Sequence, residues 1–131
     1  MLPTERGCGK MKPGILSFGL DCGEVAVLER LCAQLDMNLR QVRTEEYGNP
    51  VGALAGLMPV TVGQGQAPLA EKMLVFAFVP DFLLQYLLEE IRKAGIAQGS
   101  YKAVLTEHNV AWTPHELFEE LRREREELES E

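Results

Sequence analysis

Long hydrophobic runs are missing from this chain. The longest, Met73–Val79, has seven residues, against the roughly 20 that a bilayer-spanning helix needs. The opening MLPTERGCGKMKPG carries charge but no apolar stretch, so it does not read as a signal peptide. Basic charge is also short. Thirteen Lys and Arg against twenty Asp and Glu leave a formal charge of −7 with no local basic patch. Such a surface repels phosphate backbones, which argues against a nucleic-acid partner, and the missing apolar spans argue against a membrane. Cysteine is scarce as well. Cys8, Cys22 and Cys32 are odd in number and follow no metal-binding or redox spacing. Together these features point to a reducing cytoplasm. The chain shows no Gly-rich phosphate loop with its Lys, no metal-ligand cluster and no catalytic constellation, so no cofactor, metal or catalytic residue is assigned.

The remaining composition is that of an ordinary globular domain: 131 residues, 46% apolar and 25% charged. Residues 1–12 carry no periodicity and read as a loose tail, with either Met1 or Met11 as the start. Residues 13–122 read as a single α/β domain, and 123–131 as a charged helix end.

Hydrophobic patterning gives the order of elements. GILSFGL (14–20) is rich in strand formers. Asp21 followed by Glu24 resembles a capping box and starts a helix over about 22–36, with Val25, Leu28, Leu31, Cys32 and Leu35 at helical spacing. Residues 39–44, LRQVRT, suit an exposed edge strand. Asn49 as cap and Pro50 as first residue start a short helix weakened by Gly52 and Gly56. Residues 59–71 are Gly-, Pro- and Gln-rich and read as a mobile loop. Met73–Val79 is apolar on both faces, a strand that needs cover on each side. Asp81 is expected to cap a helix running to Ala94, with Gly95 as its stop. Residues 101–106 form the fourth strand, and Thr113-Pro114-His115-Glu116 opens a last helix. Beyond Leu121 that helix is nearly all charge, with Arg122–Glu126, Arg123–Glu127 and Arg125–Glu129 at i,i+4.

Two stretches look alike, GILSFGLDCGEVAVLERLCAQLDMNLRQV and KMLVFAFVPDFLLQYLLEEIRKAGIAQGSYKAVL. Each gives apolar strand, Asp, helix and amphipathic strand. Strands one and three look central, two and four look like edges. The helix-bearing connection over 45–72 favours a crossover. The expected fold is therefore a four-stranded, mostly parallel, doubly wound sheet in the flavodoxin-like order 2-1-3-4. The alternative is a ferredoxin-like α+β sandwich of order 4-1-3-2.

Lys102-Ala103-Val104-Leu105-Thr106, Asn109 and Trp112-Thr113 follow an LVFAF strand and a helix. This pattern resembles a family of small uncharacterised bacterial proteins, a domain of unknown function, with the signature K-A-x-L-T-x-x-N-x-x-W-T. The resemblance covers about residues 72–122 and implies no activity.

A parallel sheet of this kind holds ligands beyond the carboxyl ends of its strands. Asp21, Cys22, Asp81, Thr106, His108 and Asn109 fall there and are the candidate ligand-binding residues. Their acidity suits a cation better than a phosphate, while Asp21 and Asp81 also serve as helix caps. Cys22, in the first turn of its helix, is the candidate nucleophile; the helix end favours its thiolate and the neighbouring Asp21 and Glu24 oppose it. Asn109 has a second reading, as the residue that satisfies the backbone of a turn. The 81–94 helix carries more apolar residues than one buried stripe uses: Leu84, Leu87, Leu88 and Ile91 make the stripe, and Phe82, Leu83 and Tyr86 fall outside it. Two functions follow. One is a non-enzymatic module that binds a protein partner or a small ligand, or self-associates through Phe82, Leu83 and Tyr86. The alternative is a small thiol-dependent or hydrolytic enzyme working at the strand-end rim with Cys22 and His108.

Overall fold

A computed structural model describes residues 12–61 and 65–129, apart from the side chain of Glu129. The expected tail, with Cys8 and Met11, lies outside the described residues except for Lys12, as does the Glu129 side chain expected to pair with Arg125. In chain order the elements are β1 (Gly14–Phe18), α1 (Cys22–Gln34), β2 (Asn38–Val42), a 3-10 turn (Thr44–Glu46), α2 (Val51–Leu54), β3 (Met73–Ala77), α3 (Asp81–Ala94), β4 (Tyr101–Val104) and α4 (Pro114–Glu129).

The four strands form one sheet in the expected order, β2-β1-β3-β4. Their sense differs from expectation. β1 and β2 are parallel, and so are β3 and β4, but β1 and β3 are antiparallel, so the sheet is mixed rather than mostly parallel. The connection after β2 explains this. It descends through α2 to Gly56, which lines a cleft with Gly14 and Ala77 at the amino end of β1. It then climbs back: Thr61 bonds to Asn49, and the Gln66 amide donates to the Thr44 carbonyl at 3.1 Å, beside the end of β2. A single traverse delivers the next strand parallel, and a second traverse reverses it. The sequence shows one leg as a helix and hides the other in an aperiodic stretch.

Reversal also decides where the helices lie. Right-handed crossovers running in opposite directions place their helices on opposite faces of an all-parallel sheet. With β3 reversed, α1 and α3 share one face, packing Leu28, Cys32, Leu87 and Ile91 over Ile15, Leu74 and Phe76. α2 and α4 cover the other, where Val51, Leu54, Leu117 and Phe118 meet Leu16, Phe18, Met73 and Val75. β1 and β3 are buried along their whole length, which is why β3 reads as apolar on each face and β1 as a run rich in strand formers. The edge strands are less buried and carry Arg40 and Lys102.

The two halves repeat one plan. A shift of 59 residues carries β1 onto β3 and the start of α1 onto the start of α3. It also carries Gly19 (φ +80°) onto Phe78 (φ +62°), and Asp36 (φ +56°) onto Gly95 (φ +71°). Each unit then continues through Thr-Glu (Thr44-Glu45, Thr106-Glu107) to a proline-opened helix, one turn long in unit one and 16 residues in unit two. The β1–β3 ladder obeys the same shift. Leu16 pairs with Val75, its own equivalent, while Gly14↔Ala77 and Phe18↔Met73 are each other's images. A pseudo-twofold axis therefore passes through the Leu16–Val75 pair.

Two local expectations are corrected. Pro80, not Asp81, occupies the cap position of α3, and no side chain caps that helix; Asp81 is already inside it. Asn49 is not a cap either. It is buried, its amide donates to the Glu46 and Thr61 carbonyls and its oxygen accepts from the Thr61 amide. The 59–71 stretch is anchored where described, by those bonds, by His115 Nε2 at 2.6 Å from the Ala67 carbonyl, and by Val60 and Leu69 packing on the core.

Candidate functional site

The antiparallel centre of the sheet separates the predicted site residues. The carboxyl ends of β1 and β2 point to one end of the molecule, those of β3 and β4 to the other. Asp21 and Cys22 lie at the first end; Asp81, Thr106, His108 and Asn109 lie at the second. A five-residue ladder is roughly 14 Å long, so Cys22 and His108 do not meet and the single acidic rim is not assembled. Among the described residues, no three His, Cys, Asp or Glu side chains converge as metal ligands.

The first end is a network of charges. The Asp21 carboxylate accepts the Glu24 amide at 2.8 Å, and Glu24 Oε1 accepts the Asp21 amide at 3.1 Å, closing the capping box. The same Glu24 carboxylate accepts Lys72 Nζ at 2.8 Å and the Ala97 amide at 2.8 Å. One side chain thus joins α1 to the entry of β3 and to the loop before β4. It is only 12% exposed. Burial works against its charge, but the bonds from Lys72 and from the Asp21 and Ala97 amides prevail and hold its carboxyl below the usual range. Cys22 is exposed beside this network; Cys32 is buried in the core, where desolvation pushes its thiol up to about 11. A cleft of about 350 Å³ opens here, lined by Gly19, Glu71, Lys72, Gly99 and Ser100. Sequence reading gave Glu24 a capping role. Its partners at Lys72 and Ala97 are distant in the chain and left no local signal.

At the second end, Thr106 and Asn109 build one turn. Thr106 Oγ1 accepts the amides of His108 and Asn109. Asn109 Oδ1 accepts the Thr106 amide at 2.9 Å, and its Nδ2 donates to the Val104 carbonyl at 3.0 Å. Both polar atoms of the buried Asn109 side chain are engaged with backbone, while His108 and Asp81 are exposed. The cleft equivalent to the first measures about 370 Å³ and is lined by Lys12, Gly14, Asn38, Gly56, Ala77 and Phe78. Phe78 stands where the other cleft has Gly19.

Apart from Leu128 near the end of α4, the large exposed apolar residues gather towards this second end. Phe82, in the first turn of α3, is 78% exposed, and Tyr86, one turn on, is 48% exposed. Leu83 is half-buried on the edge of the core. Leu57 and Met58 follow Gly56, and Val104 ends β4; all three are exposed. The elements that could have covered α3, the described part of the 59–71 segment and α4, pack on the opposite face of the sheet, through Val60, Leu69, Leu117 and Phe118. No helix among the described residues is long and apolar enough to cross a membrane.

No curated protein and no solved structure matches this chain. Residues 72–128, which are unit two from the entry of β3 almost to the end of α4, match a family described as Domain of unknown function (DUF3783).

Proposed function

We propose that the protein is a non-catalytic interaction module that docks a second copy of itself through Phe82, Leu83 and Tyr86. The exposure of Phe82 carries this reading, because burying a phenyl ring is worth about 2 kcal/mol and solvent is its least favourable place. The internal repeat supports it. At the equivalent positions of α1 stand Gly23, Glu24 and Val27, while the core positions agree: Val25 with Leu84, Leu28 with Leu87, Cys32 with Ile91. Holding a helix on this sheet therefore requires the agreed positions and not the extra aromatics. A second copy is the favoured partner because twofold homodimers are the commonest assemblies of soluble chains. Sedimentation equilibrium over the micromolar range tests the proposal. The wild-type chain is expected to dimerise and Phe82→Asp to remain monomeric with unchanged thermal stability. A wild-type chain that stays monomeric throughout removes it.

A further inference from the structure

We infer that the inner edge of β3 is a self-pairing interface, so that unit two accepts either unit one of its own chain or unit two of a second chain. The ladder is the first argument. Every β1–β3 pair maps onto another under the 59-residue shift, and Leu16–Val75 maps onto itself. This is the arrangement of an isologous dimer interface, held here within one chain. Replacing β1 by a second β3 around the same axis puts Val75 opposite its copy, Met73 opposite Ala77 and Leu74 opposite Phe76. All five residues are apolar, so no like charges meet along the ladder.

The covering layers survive the exchange. Leu74 and Phe76 face α3, and Met73, Val75 and Phe118 share the other core. Two copies of unit two would supply α3 twice on one face and α4 twice on the other. Unit one is less complete, since its second helix is a single turn. The match to a domain family likewise spans unit two alone. The exchange forfeits the Glu24 bonds to Lys72 and Ala97, because Leu83 occupies the equivalent position. Pairing within the chain is therefore the stronger mode, and a second copy is admitted when β1 is withdrawn.

The test uses full-length chains carrying Phe82→Asp, so that association through the α3 surface does not contribute. Leu16→Pro disables β1, and Val75→Pro disables β3. The Leu16→Pro chain is expected to form a symmetric dimer at tens of micromolar with a cooperative unfolding transition, and the Val75→Pro chain to show neither. Refolded together in equal amounts, the two are expected to give a one-to-one complex in which the first supplies unit two and the second unit one. A Leu16→Pro chain that is monomeric, unfolded or aggregated overturns the inference, and so does a mixture without the one-to-one complex.

Discussion

At its carboxyl end β1 turns through Gly19, Leu20 and Asp21 into α1; at the equivalent place β3 turns through Phe78, Val79 and Pro80 into α3. The first turn is closed by a capping box and by the reach of Glu24 to Lys72 and Ala97. The second has no side-chain cap, and its Leu83, Phe82 and Phe78 replace Glu24, Gly23 and Gly19. Both turns nonetheless make the same left-handed step after the strand and deliver a helix to the same face of the sheet. The shared features are those that the backbone path and the core demand. The differing features separate a turn fastened to its own molecule from one that presents aromatic surface to solvent.

The largest expected effect comes from breaking the contact between the units on the α2 side. The Gly52 amide donates to the Val110 carbonyl, and a Cβ at Gly52 would lie 2.3 Å from Val110 Cγ2 and 2.7 Å from the Val110 carbonyl oxygen. Gly52→Ala is expected to lower stability by about 3 kcal/mol, read as a shift in urea midpoint, because one of the obstacles is backbone. Next is Glu24. Glu24→Ala orphans the Ala97 amide and is expected to lower stability by about 2 kcal/mol. Its folded-state carboxyl titrates below the ordinary value, so the ionised form contributes stability above that value and loses it as pH falls through the folded pKa. The gap between wild type and Glu24→Gln is therefore expected to narrow on acidification below the ordinary carboxylate range, in denaturant titrations at successive pH values.

Smaller effects sharpen the comparison of the two turns. Gly19 has room for a methyl group, its nearest neighbour being the Lys72 Cα at 4.0 Å, so Gly19→Ala exposes the backbone penalty alone. A loss of about 1 kcal/mol is expected. At the equivalent position Phe78→Gly is expected to melt higher than Phe78→Ala by a similar amount, because both lack the ring and only the glycine escapes the left-handed penalty. If the difference between glycine and alanine is unequal at the two positions, the two turns are not equivalent in strain. The smallest effect is expected at Ser17, whose hydroxyl is buried without a partner on β1, opposite Leu74. Ser17→Ala is expected to raise stability by up to about 1 kcal/mol in thermal melts.

Sequence reading recovered what has a short period. Val25, Leu28 and Cys32 announced α1, Asp21 with Glu24 announced its cap, Gly95 announced the end of α3, and the apolar β1 and β3 announced the centre of the sheet. It missed the sense of β3, because a chain that returns to its starting level writes no periodic signal on the way. That miss carried the site with it, since six residues gathered on one rim of a parallel sheet are divided between two ends of a mixed one. Asp81 illustrates the finer limit. As the residue at a helix start it looked like Asp21, yet its structural equivalent is Cys22, one position further in. The likeness of the two halves was legible in their patterns. The shift relating them required the positive φ at Gly19, Phe78, Asp36 and Gly95.

The axis through Leu16 and Val75 also bears on how such a chain can change. In a homodimer every substitution is made twice, and a residue that suits one end is imposed on the other. Joined in one polypeptide, the two ends inherit separately. Gly19 can be kept where a turn must be unstrained while Phe78 is held at its equivalent, and Glu24 can fasten one end while Leu83 remains at the other. Fusion thus turns a symmetric scaffold into one with a front and a back.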